Sequence, residues 1–324
     1  MTSASRALLG VAATLAMIAT QHAARADTFP SRPLKIIAPI AAGGPSDTAA
    51  RLVAQALSRQ LNQNIVVENR TGAGGALGTE LVANAPPDGY TLLLSIAATF
   101  TVIPLSKKVG YDPEKDFIPL GQIWQAPQAL VVSAQSSFKT AKDLVDHAKA
   151  NPGKVTFGSA GIGTTTHLSI ELLRRDTGID VTHVPYRGTS QSVADIIGGN
   201  IDAAFGDISN VAPFVEAGKL TALATTGSER SPLMPNVPTT TEAGIPGVRT
   251  VNWYGLHVRS KTPPEIVDKL QKAVFATQND PEFKAVLKKN ATSTGTIGAD
   301  AFAKMIREDR QRLEPLIKSL GDMK

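Results

Sequence analysis

Cysteine is absent from all 324 residues. The chain can therefore form no disulfide, no thiolate zinc site, no iron–sulfur cluster and no cysteine nucleophile. Aromatic residues make up only 5% of the sequence and lysine and arginine form no long run, so the composition gives no support for a nucleic-acid-binding surface. The net charge of +5 is a modest excess that would not repel an anionic ligand.

Catalytic patterns are missing as well. The sequence holds neither the Gly-x-Ser-x-Gly elbow of a hydrolase nor a His-Glu-x-x-His metal motif. Beyond residue 26 its histidines, at positions 147, 167, 183 and 257, stand singly, whereas a zinc site needs several ligands at set spacing. We predict a protein that is not an enzyme and holds no metal or cofactor. A secreted α/β hydrolase or oxidoreductase is the alternative.

The first 26 residues have the features of a bacterial signal peptide. Arg6 precedes an apolar run over residues 8–19, and Ala24 and Ala26 place small residues at the −3 and −1 cleavage positions. The run is too short to span about 30 Å of hydrocarbon at 1.5 Å per helical residue, which argues against a membrane anchor. We predict cleavage after Ala26 and a periplasmic mature protein.

Short apolar strands alternate with helical patterns through the rest of the chain, which is typical of parallel α/β architecture. The length suggests about two domains. Residues 231–247 hold four prolines without periodic apolar positions and are predicted to cross between them. The predicted strands lie at residues 34–38, 65–67, 91–94, 129–133, 155–157, 181–184, 203–205, 220–225 and 253–258. The predicted helices begin near Ser46, Ala76, Thr140, His167, Ser190 and Thr262 and near residues 280 and 299.

Glycine-rich loops join predicted strands to predicted helix starts. We number them as the first loop (residues 39–47), the second loop (71–76), the third loop (159–167) and a weaker fourth loop (186–190). A helix start leaves N–H groups unpaired and carries about half a positive charge, glycine lets a ligand approach the backbone, and Ser and Thr hydroxyls add donors. Together these features bind a carboxylate or phosphate without a charged side chain. A single loop of this kind is also compatible with a tight turn into a capped helix, but the third loop holds more polar donors than a turn needs.

The second loop also imitates a dinucleotide-binding fingerprint through Gly72, Gly74 and Gly78. It lies in the second strand–helix unit rather than the first, and the next strand, around residues 92–95, ends without the acidic residue that would bind a ribose. Nucleotide binding is therefore disfavoured.

These loops are also where the sequence becomes recognisable. It resembles the Bug family, the substrate-binding receptors of tripartite tricarboxylate transporters, over essentially the whole mature chain. The number and order of the matching stretches make the family assignment specific, but they do not identify the ligand. The matching stretches are PSRPLKIIAPIAAGGPSDTAARL, VVENRTGAGGALG, ANAPPDGYTLLLS, ANPGKVTFGSAGIGTTTHL, VTHVPYRGT and SPLMPNVPTTTEAGIPG.

The resemblance implies a type II periplasmic-binding-protein fold, in which two α/β lobes with central sheets flanked by helices are joined by two crossing strands. By that likeness, residues 27–126 plus 247–324 form lobe 1 and residues 127–246 form lobe 2. Such lobes rotate about a hinge and close over the ligand. The implied function is that of a monomeric receptor that delivers a small carboxylate to the membrane components of a transporter. A receptor that feeds a sensor protein is the alternative.

The resemblance also implies the residues of the ligand site. In the family, one ligand carboxylate is held between the first and third loops, and further lining comes from the neighbouring loops. Carried over to this sequence, the two sides of the grip are Ala41, Ala42, Gly43 and Pro45 against Ser159, Gly163, Thr164, Thr165 and Thr166, with further lining from Gly74, Gly75, Ala98 and Thr189.

Two features bear on which acid is bound. Many relatives have an Asp-Asn pair where this chain has Gly206-Asp207, which disfavours an amino-acid ligand and makes Asp207 either a ligand contact or a turn residue. Aliphatic, aromatic and nicotinate-like acids all stay open. Phe100, Trp124, Trp253 and Tyr254 are candidates either for contacting a ring or for core packing.

Overall fold

The computed structural model describes residues 29–43, 45–289 and 297–320. The predicted signal peptide lies outside these residues. The strands of the described part are β1 (Leu34–Ala38), β2 (Ile65–Asn69), β3 (Thr91–Ile96), β4 (Phe117–Ser133), β5 (Thr156–Ser159), β6 (Thr182–Pro185), β7 (Ala203–Asp207), β8 (Leu220–Thr225) and β9 (Val251–Arg259).

Helices follow most of the strands. A short 3₁₀ turn (Ala73–Gly75) precedes one of them and a π turn (Ala98–Val102) precedes another. The helices are α1 (Pro45–Leu61), α2 (Ala76–Ala83), α3 (Ile103–Ser106), α4 (Ala141–Ala150), α5 (Thr165–Thr177), α6 (Thr189–Ile197), α7 (Ile208–Glu216), α8 (Pro264–Asn279), α9 (Pro281–Lys289) and α10 (Ala299–Leu320).

Strand β4 belongs to two sheets. Its first part, residues 117–127, pairs with β9 in the order β2-β1-β3-β9-β4. Its last part, residues 128–133, pairs with β7 on one side and β8 on the other, and β7 continues to β5 and β6. Within each sheet the strands that lead into the glycine-rich loops are parallel, so their carboxyl ends meet at one edge.

Each sheet has its own core. The first is built on residues such as Ile37, Leu57 and Leu93, and the second on Leu144, Phe157 and Phe205, with a further cluster on its opposite face. Helix α10 joins the two cores: Phe302 and Ile306 pack into the first, and Leu313, Leu316 and Ile317 pack into the second. The lobe boundaries of residues 127 and 246 stay a prediction.

Three local predictions need correction. The strand predicted at 129–133 begins at Phe117. Its first part contains Pro119, Gly121 and Pro127, residues that ordinarily interrupt a strand, so the sequence did not indicate it. Residues 231–247 do not cross between the sheets: Thr239 bridges Thr225 of β8, and Met234 packs into the second sheet's outer cluster. The cap of α8 is Pro263 rather than Thr262, whose hydroxyl donates to the Arg259 carbonyl instead.

Helix α4 begins with the predicted cap. Thr140 Oγ1 accepts from the Asp143 N–H at 3.1 Å while the Asp143 carboxylate accepts from the Thr140 N–H at 2.9 Å, a complete capping box. Replacing Thr140 with alanine is expected to lower the free energy of unfolding by about 1 kcal/mol. Urea denaturation would measure it, and Thr140→Ser, which loses only the methyl group and keeps the capping oxygen, should lose far less. An equal loss in both variants would contradict the capping role.

Candidate functional site

The four glycine-rich loops meet where the two sheets face each other. A methyl group on Gly75 in the second loop would lie 3.1 Å from the Pro39 carbonyl oxygen of the first loop, and one on Gly74 would lie 3.1 Å from the Ile162 carbonyl oxygen of the third. One on Gly188 in the fourth loop would lie 3.9 Å from Ala41 Cβ. The first sheet thus brings two loops into contact with two loops of the second.

A buried carboxylate shapes the first loop. Asp47 is 4% exposed and accepts a hydrogen bond from the Gly43 N–H at 3.0 Å. It also accepts from Arg51 and from Asn69 Nδ2, at 2.8 Å for the latter. Asn69 Nδ2 donates to the Ile40 carbonyl as well, at 3.2 Å. The N–H of Gly43, expected to face the ligand, is therefore used within the loop.

The other expected first-loop residues lie as follows. Ala41 and Ala42 are exposed, and Pro45 is the first residue of α1. The bracing by Asn69 was missed in sequence, where the only available signal was a polar residue at the end of a strand.

Replacing Asn69 with alanine should loosen this loop. The change removes the Asn69 donor to the Ile40 carbonyl and one of the two donors to Asp47 Oδ1, which keeps its bond from Arg51. We therefore expect a loss of about 1–3 kcal/mol in unfolding free energy and weaker binding of any ligand held by the first loop. The control is Asn84→Ala, which removes an exposed amide that donates to the Glu80 carbonyl and should stay within about 0.5 kcal/mol of wild type. Thermal denaturation measures the stability and titration calorimetry the affinity. Equal losses in Asn69→Ala and Asn84→Ala would contradict the proposed role of Asn69 in bracing the loop.

Hydrogen bonds within the third loop use up most of its expected donors. Thr164 Oγ1 donates to the Gly161 carbonyl at 2.6 Å and lies 2.9 Å from Thr166 Oγ1. Because the Thr164 proton is committed to a carbonyl, the Thr166 hydroxyl must donate to Thr164, and it accepts from the Ala160 N–H at 2.9 Å. The hydroxyls of Thr164 and Thr166 therefore build the loop.

Two backbone amides are left over at the start of α5. The Gly163 N–H donates to His167 Nδ1 at 3.2 Å, so this histidine braces the loop. Among the described residues, no acceptor is bonded to the N–H groups of Thr165 and Thr166, the first two residues of the helix. The helix was predicted to begin at His167, so its actual start brings both amides into the first turn, where a helix favours an anion.

A stacked pair of histidines supports the third loop from behind. Ser159 Oγ lies 2.7 Å from His183 Nε2, and the rings of His167 and His183 stack with centroids 4.0 Å apart. Burial, reinforced by the neighbouring His167, lowers the pKa of His183 to about 4. His183 is therefore neutral at periplasmic pH and serves as a hydrogen-bonding support.

A buried amide ties the third loop to the strands that connect the sheets. Gln128 Nε2 donates to Thr165 Oγ1 at 2.9 Å, and its Oε1 accepts from Ser169 at 2.5 Å and from Thr250 at 3.3 Å. Gln128 lies on β4 and Thr250 directly precedes β9. Sequence reasoning did not find Gln128, because its partners are remote along the chain.

The remaining predicted residues surround this centre. Gly74 and Gly75 both have positive φ, at 70° and 100°, and lie against the first and third loops. Ala98 is buried in the π turn after β3. Thr189 begins α6, and its Cγ2 would lie 2.9 Å from a methyl group on Gly206, which places it next to Asp207.

The four aromatic candidates belong to the core. Phe100, Trp124, Trp253 and Tyr254 are each at most 3% exposed, and Trp124 stacks on Tyr254 with centroids 4.3 Å apart. Their burial removes the argument that they favour an aromatic ligand.

Two further features of the described residues bear on function. None of their helices combines the length and hydropathy needed to cross a membrane. Over the same residues, no cluster of histidine and acidic side chains has the arrangement of a metal site.

The chain was compared with known families and structures. The family model named TctC, which describes the tripartite tricarboxylate transporter family receptor, matches residues 49–322 of this chain. The chain belongs to this family. TctC proteins are solute receptors rather than enzymes, which confirms that part of the prediction, and membership implies a periplasmic location.

Relatives span nearly the whole chain. A protein of the tcbD–tcbE intergenic region of Pseudomonas sp. (strain P51) is 34% identical over 313 residues, which are 96% of this chain and 93% of the relative. BugT of Bordetella pertussis is 32% identical over 299 residues, 91% of each chain. The predicted Bug family is therefore confirmed.

Solved structures of similar proteins confirm the fold. The periplasmic binding protein BugD has a TM-score of 0.84 at 33% identity, covering 90% of this chain and 98% of its own. MatC from Rhodopseudomonas palustris with bound malate scores 0.84 at 32% identity, with coverages of 89% and 100%. An R. palustris protein with adipate scores 0.85 at 30% identity, with coverages of 90% and 97%.

Proposed function

We propose that this TctC protein binds a small carboxylate-bearing solute between its two lobes and delivers it to the membrane components of a tripartite tricarboxylate transporter. The lobes are residues 27–126 with 247–324 and residues 127–246. The protein acts as a monomer after removal of its signal peptide behind Ala26.

The main support for carboxylate binding is the pair of N–H groups of Thr165 and Thr166. They lie at the start of a 13-residue helix, in a loop whose Thr164 and Thr166 hydroxyls and Gly163 N–H are already paired. One carboxylate oxygen bonded to each amide completes the hydrogen bonding of the helix start. Each charge-assisted bond is worth about 1.5–3 kcal/mol, which suffices for a receptor when closure excludes solvent.

The expected residues of the other loops complete the grip. Ala41 and Ala42 face the ligand from the first lobe, and Thr189 faces it from the second. The arrangement needs no cation, since the helix start supplies the positive potential. Malate and adipate, the ligands of two similar structures, are aliphatic dicarboxylates and support an acid of this size.

A thermal-shift screen of carboxylic acids on the mature protein tests the proposal. An acid that binds the native state at 100 times its Kd stabilises it by about 2.7 kcal/mol and raises its melting temperature. The set should include aliphatic di- and tricarboxylates, benzoates and nicotinate, with the matching amides as neutral controls. The proposal is lost if the amides shift the melting temperature as much as the acids, or if no acid shifts it.

The transport partner needs a separate experiment. The tagged protein should retain transporter membrane subunits from a membrane extract, more strongly with the bound acid than without it. Retention of a sensor protein instead would identify a signalling role.

A further inference from the structure

Asp207 lies at the carboxyl end of the second sheet, close to the glycine-rich loops. It is the last residue of β7, whose neighbour β5 leads into the third loop, and it is 5% exposed. Across the strand pair it faces Gln128, which holds Thr165, and the preceding Gly206 packs against Thr189. Asp207 is thus flanked by the third and fourth loops.

Its carboxyl group is only half bonded. Oδ2 accepts from Asn252 Nδ2 and from the Tyr254 hydroxyl, each at 3.1 Å. Oδ1 is buried and has no hydrogen-bond partner among the described residues. Although Asp207 is the N-cap residue of α7, its side chain does not cap the helix. An aspartate at this position ordinarily accepts hydrogen bonds from the helix amides, whereas the carboxyl group of Asp207 accepts none from them.

The surroundings make the carboxylate form of Asp207 less stable than it would be in water. No lysine, arginine or histidine of the described residues forms an ion pair with Asp207, and burying an unpaired charge is costly. A second buried acceptor without a donor, Asn210 Oδ1, lies in the first turn of α7. Neither of these two buried oxygen atoms has a hydrogen-bond donor among the described residues. Burial accordingly raises the pKa of Asp207 to about 6, and the neighbouring polar side chains of Asn252, Tyr254 and Gln128 offset only part of this effect.

We propose that Asp207 receives the far end of the ligand as a neutral carboxylic acid, so that a dicarboxylate binds together with one proton. The near carboxylate rests on the amides of Thr165 and Thr166, and Oδ1–H of Asp207 donates to the far carboxylate. The buffer acid gives up the proton: its bond to that proton breaks as the O–H bond of Oδ1 forms, and the buffer is left as its conjugate base. The inference rests on the proposed carboxylate site and adds the ligand class and its proton linkage.

Other titratable groups must be separated from Asp207 in any test. The strands β4 and β5 packed against β7 carry none. The candidates on the other surrounding elements are Tyr254 on β9, His167, Glu171 and Arg174 on α5, His183 on β6, Asp195 on α6 and Glu216 on α7. Of these, His183 is the strongest competitor as a proton acceptor, because it is neutral and bonded to the third loop.

Titration calorimetry with adipate tests the inference. At pH 7.5, the binding enthalpy in phosphate and Tris, which differ in ionisation enthalpy, should report uptake of about one proton per adipate, since a group with a pKa of about 6 is almost fully ionised in the free protein. Affinity should fall about tenfold per pH unit above 7 and level off below about pH 6. Hexanoate, which lacks the far carboxylate, should bind without proton uptake.

Two variants assign the proton. Asp207→Asn keeps the shape and a donor, and should bind adipate without proton uptake and with a pH-independent affinity. His183→Gln should keep the uptake. The inference is overturned if wild type takes up no proton, if Asp207→Asn still does, if hexanoate does so equally, or if neither adipate nor malate binds. In the last case, the thermal-shift screen of other acids still tests whether the protein binds a carboxylate at all. Failure of the proton-linkage inference is therefore distinguishable from failure of the proposed function.

Discussion

Replacing Thr165 with proline is expected to weaken carboxylate binding by about 10- to 150-fold, the equivalent of one charge-assisted hydrogen bond of about 1.5–3 kcal/mol. The change deletes the N–H at the first position of α5. Proline is well tolerated there, and the preceding Thr164 already has the extended backbone (φ −79°, ψ 164°) that a following proline requires. The helix should therefore still form, and the main effect should be a loss of affinity for the ligand.

A second variant isolates the amide from the side chain. Proline also removes Thr165 Oγ1 and with it the bond from Gln128. Thr165→Val removes the same hydroxyl but keeps the N–H and the side-chain shape, so it should lose much less affinity than Thr165→Pro. Calorimetry gives the affinities and circular dichroism checks the fold. If valine and proline lose the same affinity, the hydroxyl and not the amide carries the effect, and the site is wrongly assigned.

Replacing Gly188 with phenylalanine should cost about 100-fold in apparent affinity by holding the lobes apart. Gly188 has an extended backbone (φ 173°) that any residue adopts, and a side chain there points towards Ala41 Cβ across the cleft. A phenyl ring cannot fit in that space when the lobes are closed. If it reduces the closed population to about 1%, the apparent Kd rises about 100-fold, while the stability of each lobe is unchanged.

The control for this prediction is Gly188→Ala. Its methyl group would meet Ala41 at 3.9 Å, an ordinary van der Waals contact, so affinity should stay near that of wild type. Small-angle scattering should show that ligand compacts the wild type and the alanine variant but not the phenylalanine variant. Compaction and tight binding in Gly188→Phe would mean that the fourth loop does not meet the first when ligand binds.

Much of the secondary structure, the family and the kind of site could be predicted from local sequence patterns. Short apolar runs bounded by turn residues located β1, β3 and β9 to within a few residues, because apolar pattern and turn chemistry are properties of the chain itself. The ordered motifs were specific enough to identify the family, and the excess of glycine and threonine in the third loop indicated an anion site. The Thr140 cap was readable for the same reason, since its partner lies three residues away.

Only the folded chain decided which donors of that loop are free. The Gly43 and Gly163 amides are consumed by Asp47 and His167, and the loop hydroxyls bond one another, because side-chain directions depend on the backbone conformation that packing imposes. Gln128 meets Thr165 from 37 positions away along the chain, and Asp207 is left half bonded by strands whose pairing no local pattern reveals. The sequence by itself determined the kind of site, and the tertiary structure decided which atoms are left to hold a ligand, since hydrogen bonds between distant residues form only where the packed core brings them together.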